Sequence, residues 1–105
     1  MARDEVYVRH MLDAINTIAS FLDCVDQLLF MEDVLVQSAV IRQIEIIGEA
    51  ARNISDTFRA RHDDVPWSDV IGMRNKLIHE YFGVDLEAVW KTAQEDIPQL
   101  QRQLA

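Results

Sequence analysis

Little in this chain favours a cross-linked or irregular fold. Among its 105 residues there is one cysteine, Cys24, which excludes an intrachain disulfide and suits a reducing cytosol. Only three glycines and two prolines occur, and half of the residues are apolar, which excludes collagen-like and disordered classes. Long hydrophobic runs are missing. The longest charge-free stretch, Ala14 to Leu22, has nine residues, against the roughly 20 that a membrane-spanning helix needs. The opening Met1-Ala2-Arg3-Asp4-Glu5 is too polar for a signal peptide, and no apolar stretch follows it. The expectation is a soluble, cytoplasmic protein of one domain, residues 1–105, with Cys24 packed in the apolar pattern between Leu22 and Val25.

Positive charge is also scarce. Ten Lys and Arg stand against eighteen Asp and Glu, for a net charge of −8. Phosphate contacts supply most non-specific nucleic-acid affinity, so this balance argues against a general nucleic-acid coat protein. The cations are not spread evenly. Residues 42–76 hold six of them (Arg42, Arg52, Arg59, Arg61, Arg74 and Lys76) with six acids, between two acidic ends. An anionic ligand is therefore expected at a local site in the middle of the chain.

What is present is helical periodicity. Val8, Met11, Leu12, Ile15, Ile18, Ala19, Leu22, Val25 and Leu29 recur in three- and four-residue steps, predicting one amphipathic helix over about 4–29. Phe30-Met31 marks a break, and Glu32-Asp33 favour the N-terminus of a second helix through its dipole. That helix is expected over 32–54. It is apolar on more than one side around Ile44 to Ile47, hence central, and Gly48 with Ala50-Ala51 admits a close neighbour. A connector with one helical turn near Thr57–His62 leads to Pro66, which suits a helix start. A third long helix is predicted from Trp67 through Phe82 with Gly83 as its left-handed C-cap, then a last one from Leu86 to about Gln103, capped by Asp85 and kinked or restarted by Pro98. No period-2 alternation argues for a strand. The fold class is an all-α, up-and-down bundle of four main helices plus a short connecting one.

Metal chemistry has little basis. His10, His62 and His79 fall on three different predicted elements without His-x3-His spacing, and Cys24 has no partner cysteine. No cofactor is expected. There is no glycine-rich phosphate loop or nucleophile elbow. His62 reads as a surface connector residue, His10 as an interior or interface histidine, and Trp67 and Trp90 as core or interface anchors.

Chemically able side chains concentrate in Arg74-Asn75-Lys76-Leu77-Ile78-His79-Glu80-Tyr81. On an ideal helix Arg74 and His79 lie about 140° apart, Asn75 and His79 share a face, and Tyr81 falls within about 20° of Arg74 but two turns away. Lys76 and Glu80 are spaced as an i,i+4 ion pair. One straight helix would thus carry two partial sites, and two copies about a two-fold axis could complete one. The bland reading stays open beside it: Arg74 paired with a carboxylate, His79 half-buried, and Tyr81 bonded to a neighbouring helix.

Arg74-x4-His79-x-Tyr81 resembles the R-x4-6-H signature of HEPN domains, in the form seen in HepT-like toxins. The likeness extends to Ile46-Ile47-Gly48-Glu49-Ala50, to Pro66-Trp67, to the run from Ile71 through Phe82, and to Val84-Asp85 with Trp90, covering about residues 4–100. The resemblance implies a homodimeric HEPN-type bundle acting as a metal-independent endoribonuclease, the toxin half of a toxin–antitoxin pair. Its implied partners are RNA as substrate and a minimal nucleotidyltransferase antitoxin that silences it by AMPylation. Carried over by position, Arg74 and His79 are catalytic, Asn75 is their polar companion, and Tyr81 is the AMP acceptor. Glu49 is a candidate to orient Arg74 or His79 from the second helix. The alternatives are a non-catalytic nucleotide- or partner-binding module, favoured by the net charge of −8, and a purely structural dimerisation domain.

Overall fold

The computed structural model describes residues 2–79 and 83–105. Helix α1 spans Ala2–Phe21 and buries Met11, Ala14, Ile15 and Ile18 along one face. It stops eight residues short of the expected end at Leu29. The backbone of Cys24 takes a left-handed conformation (φ 61°), which breaks the helix, and Asp26 then caps a new one by accepting from the Leu29 N–H at 2.9 Å. The expectation that Cys24 is packed is thereby overturned: it lies exposed in this turn.

Helix α2, Gln27–Glu32, is short, but it drives Phe30 fully into the core. Burial of that side chain is worth about 1.5–3 kcal/mol. Asp33 ends α2 and caps α3, Val34–Arg52, by accepting from the Val36 N–H at 3.1 Å. Of the acidic pair Glu32-Asp33, only Asp33 marks the helix start, as a side-chain cap, while Glu32 is the last residue of α2. Gln37, itself buried, donates from Nε2 to the Phe30 carbonyl at 2.8 Å and ties the two helices together.

Helix α3 is the centre of the bundle, packing along α1 and against α2 and the helical segments Trp67–Ile71 and Met73–Leu77. Val40, Ile44, Ile47, Gly48, Ala50 and Ala51 are all buried. A Cβ at Gly48 would lie 3.3 Å from the Ile71 carbonyl oxygen and 3.4 Å from that of Val70. The missing side chain is what lets the neighbouring backbone approach. At the far end of α3, Arg59 Nη2 donates to the carbonyls of Ala51 and Arg52 at 3.0 and 3.1 Å, so a cation closes the negative end of the helix.

The short connecting helix α4, Asp56–Arg61, falls where the sequence placed one, with Ser55 as its N-cap. Asp4, buried at the start of α1, accepts from the Ser55 N–H at 2.8 Å and from its hydroxyl at 2.7 Å. These two bonds, the backbone one first, hold the Asp4 carboxyl below its ordinary pKa. His62 stacks on Phe58 with ring centroids 4.2 Å apart, and Trp67 donates from Nε1 to the His62 carbonyl. His10 is exposed beside Tyr7 rather than interior. Trp67 is buried, and half-buried Trp90 packs on Phe30 at 5.3 Å; both are core anchors.

The predicted third long helix is instead broken. Helix α5 covers Trp67–Ile71, Gly72 forms a turn, and α6 covers Met73–Leu77. Beyond buried Leu77 the chain becomes extended at Ile78 (φ −118°, ψ 116°). Strand β1, Ile78–His79, pairs antiparallel with β2, Gly83–Val84. Gly83 does have the expected positive φ (77°), but it serves a two-stranded ladder and not a helix end. The Leu77 carbonyl is taken by the Asp85 N–H at 2.8 Å, which fixes the return of the chain.

Asp85 caps α7, Leu86–Lys91, by accepting from the Ala88 N–H at 3.1 Å. A π-helical turn, Thr92–Asp96, follows, and α8 runs Ile97–Leu104. Pro98 has no N–H and its ring would meet the carbonyl of Gln94 in a regular helix. The widened turn lies over that residue, so the chain absorbs Pro98 as a bulge. Among the described residues no helix is long and apolar enough to cross a membrane. The bundle is a slab of 42 × 31 × 19 Å.

Candidate functional site

Four charged residues of α3, namely Arg42, Glu45, Glu49 and Arg52, follow at steps of three and four. At about 100° per residue they fall within about 80° of one another and form one exposed stripe. Gly48 lies beside that stripe and brings α5 into backbone contact. The turn at Gly72 then starts α6, so that Arg74 and Asn75 stand over the stripe. Together they line a cleft of about 280 Å³ between α3 and the α5–α6 corner.

The defining contact is an ion pair. Arg74 donates from Nε to Glu45 Oε2 at 2.8 Å. Because the bond uses Nε, the two terminal nitrogens of the guanidinium stay available for an anion. The pair is half open to solvent, with Arg74 at 51% and Glu45 at 30% side-chain exposure. Its contribution to folding is therefore small; its effect is to aim the arginine. Arg42 and Arg52 form no ion pair within 4 Å among the described residues. With three arginines and two glutamates, the cleft carries a local positive excess on a protein of net charge −8.

The sequence-predicted residues separate here. Arg74 and Asn75 are together in the cleft, and Glu49 lines it. The carboxylate on Arg74 is nevertheless Glu45, one helical turn before Glu49. The backbone of His79 lies in β1, so the angles derived from a continuous helix do not apply to it. Its side chain, and Glu80, Tyr81 and Phe82 altogether, lie outside the described residues, as does the expected Lys76–Glu80 pair. Among the described residues Lys76 meets Asp69 at 3.2 Å, with both side chains largely exposed. Arg42, Glu45 and Arg52 were missed as site residues. Their common face with Glu49 was the available signal.

Among the described residues no three of His, Cys, Asp and Glu gather into a possible metal site. The arrangement offers a bidentate cation held by a carboxylate, an amide next to it, and two further guanidinium groups. Guanidinium groups so placed have the donor geometry for phosphate oxygens.

These features define a small all-α protein with an arginine-lined cleft preceding an extended histidine. Residues 11–105 match the family model described as ribonuclease HepT-like. A protein of Thermococcus cleftensis named as a probable ribonuclease HepT is 46% identical over 90% of this chain and 86% of its own length. A protein of Caldanaerobacter subterraneus subsp. tengcongensis provisionally named as an RNase is 39% identical over 93% and 88%. One of Methanocaldococcus jannaschii, also provisionally named as an RNase, is 37% identical over 95% and 92%. No solved structure matches the chain. The chain belongs to the HepT-like ribonuclease family.

Proposed function

We propose that this protein is the toxin of a toxin–antitoxin pair and a metal-independent endoribonuclease, with Arg74, Asn75 and His79 as its catalytic residues. The observation that carries the reading is Arg74 held by Glu45 in a cleft that precedes His79, in a chain of a ribonuclease family. RNA carries its own nucleophile. A base removes the 2′-OH proton, the 2′-oxygen attacks phosphorus, and the P–O5′ bond breaks as an acid protonates the leaving 5′-oxygen. The products are a 2′,3′-cyclic phosphate and a 5′-hydroxyl. Histidine titrates near neutral pH and suits either proton transfer. Arg74 neutralises the charge that builds on the phosphoryl oxygens, and Asn75 supplies an adjacent neutral donor.

Two proton-transfer groups are needed and each chain has one His79, so the site is built from two protomers of a homodimer. Val34 and Leu35, 71% and 79% exposed, head the same face of α3 that bears the cleft, next to exposed Leu28 and Leu29. Exposed apolar side chains two turns before Arg42 on this face support association there. Silencing follows from a partner nucleotidyltransferase: the Tyr81 hydroxyl attacks the α-phosphorus of ATP, pyrophosphate leaves, and AMP remains on the oxygen. The added phosphate, close in sequence to Arg74, would compete with RNA for it.

The test is cleavage of a mixed RNA pool in EDTA. The wild type cuts RNA and leaves the matching DNA intact, and His79→Ala and Arg74→Ala lose at least 100-fold, as expected for a lost proton-transfer group or phosphate clamp. A folded His79→Ala protein that cuts at the wild-type rate overturns the reading. The net charge of −8 favours a second one, a non-catalytic module that binds its transferase partner, which predicts binding with no cleavage by the wild type. For the switch, intact mass after exposure to the transferase and ATP shows one AMP on the wild type and none on Tyr81→Phe. An adduct on Tyr81→Phe rejects that residue.

A further inference from the structure

Resting on the ribonuclease reading, we infer that Arg42 and Arg52 flank Arg74 as phosphate-binding residues, making the exposed face of α3 the track for single-stranded RNA. The family motif begins at Arg74 and includes neither of them. Both are exposed, both line the Arg74 cleft, and neither is paired with a carboxylate within 4 Å among the described residues. Their freedom is informative because glutamates lie three residues away on the same helix, Glu45 from Arg42 and Glu49 from Arg52. Glu45 is engaged by Arg74 instead. The carbonyls at the end of α3 are closed by Arg59 and not by the side chain of Arg52. Two guanidinium groups are thus left at the cleft without a carboxylate partner among the described residues.

Their separation fits a nucleic-acid strand. Ten residues of helix span about 15 Å, on the order of four stacked nucleotides at the axial rise of one strand. Arg74 reaches the stripe between them, at Glu45. A strand lying along α3 would meet Arg42, Arg74 and Arg52 in turn, with the scissile phosphate at Arg74. Glu45 and Glu49, between the cations, keep the face from holding anions indiscriminately. One strand is the substrate because in-line attack by a 2′-OH needs an unpaired, adjustable backbone.

The experiment is equilibrium binding of a 12-nucleotide, fully 2′-O-methylated RNA, which cannot be cut by its own 2′-oxygen, followed by fluorescence anisotropy over a range of salt. For single strands each phosphate contact contributes about −0.7 to the slope of log affinity against log salt. Arg42→Gln and Arg52→Gln are each expected to flatten the slope by about 0.7, and the double variant by about 1.4. At 0.1 M salt the double variant then binds about 25-fold more weakly, taking 1 M as the common reference. Arg9→Gln, an exposed cation on α1, is expected to leave the slope unchanged. Circular dichroism checks folding, which these exposed substitutions should not disturb. A double variant with the wild-type slope overturns the track, as does an equal loss in Arg9→Gln or a wild type that does not bind the RNA. Failure of the ribonuclease reading is separate: a wild type that binds with the predicted slopes but cuts no RNA leaves the track standing and removes the catalysis.

Discussion

Arg74 and Glu45, 29 residues apart in sequence, meet at 2.8 Å through Nε, the one guanidinium nitrogen whose use leaves the terminal pair free. Three local features produce that meeting. Gly48 lets α5 lie against α3, Gly72 turns the chain into α6, and the α3 stripe presents a carboxylate one turn before the crossing. The consequence is an arginine whose direction is set before any ligand arrives.

Loss of that direction should be visible in catalysis and almost invisible in stability. Glu45→Ala is expected to lower kcat/KM for RNA about tenfold or more, because misplacing a clamp by an ångström is costly. Glu45→Gln keeps an oxygen acceptor for Nε and should recover part of the loss. Both variants should stay within about 1 kcal/mol of the wild type in urea unfolding, since the pair is half exposed. Unchanged cleavage in Glu45→Ala would remove Glu45 from the site. Faster cleavage would mean that it competes with phosphate for Arg74.

Gly48 gives a second, independent handle on the same geometry. Its Cβ position is 3.3 and 3.4 Å from two carbonyl oxygens of α5. In Gly48→Ala the gain of about 1 kcal/mol in helix propensity opposes a displacement of a few tenths of an ångström. Its melting temperature should stay near that of the wild type while RNA cleavage falls. Gly48→Val adds two more methyl groups against backbone and should cost about 1–3 kcal/mol, lowering the melting temperature by at least about 4 °C. A Gly48→Val protein as stable and active as the wild type would show that the close approach is not required.

These residues also show how far the sequence can be read. The central position of α3, the close approach at Gly48, the Asp85 cap and the short helix near 56–61 follow from periodicity and local chemistry, and the structure has them all. The break at Cys24 was hidden because a cysteine, and not a glycine, takes the left-handed turn inside an unbroken apolar pattern. The end of α6 at Leu77 was hidden likewise, since Ile78 and His79 are no helix breakers and the extended turn is fixed by pairing with residues 83–84. In the site, Arg74 and Asn75 were legible as chemistry. Glu45 rather than Glu49 was not, because the choice depends on where α6 crosses α3, a property of packing and not of either helix alone.

Asp4 links the first helix to the fourth and should give the protein a specific acid sensitivity. Its carboxylate accepts both the Ser55 N–H and the Ser55 hydroxyl, and its pKa is lowered by them. A carboxyl with a depressed folded-state pKa adds stability at pH values above the unfolded value, near 3.9, and loses it as pH falls through the folded value. Asp4→Asn should therefore be less stable than the wild type at pH 7, with the gap closing as the pH drops below about 4. Urea midpoints at pH 7, 4 and 3 check this. A gap that is constant over the three would assign the effect to packing and not to the charge.

Leu35, near the start of α3, allows the proposed two-protomer site to be tested without touching a proposed catalytic side chain. Leu35 is 79% exposed in the protomer and falls on the same face of α3 as Arg42 and Glu49. A glutamate at this position costs the isolated fold little, for nothing is buried by Leu35 there. In a dimer that covers this face, the same change puts an unpaired charge into an apolar contact. Leu35→Glu is expected to raise the dimer dissociation constant at least about tenfold, by roughly 1.4 kcal/mol or more, with its melting temperature as a monomer unaltered. Cleavage should fall in proportion to the dimer remaining, so that dilution of the variant depresses its specific activity while the wild type holds constant over the same range. Sedimentation and activity measured on one dilution series decide the matter. A Leu35→Glu protein that sediments as a monomer and still cleaves at the wild-type specific rate would place both proton-transfer groups within a single chain.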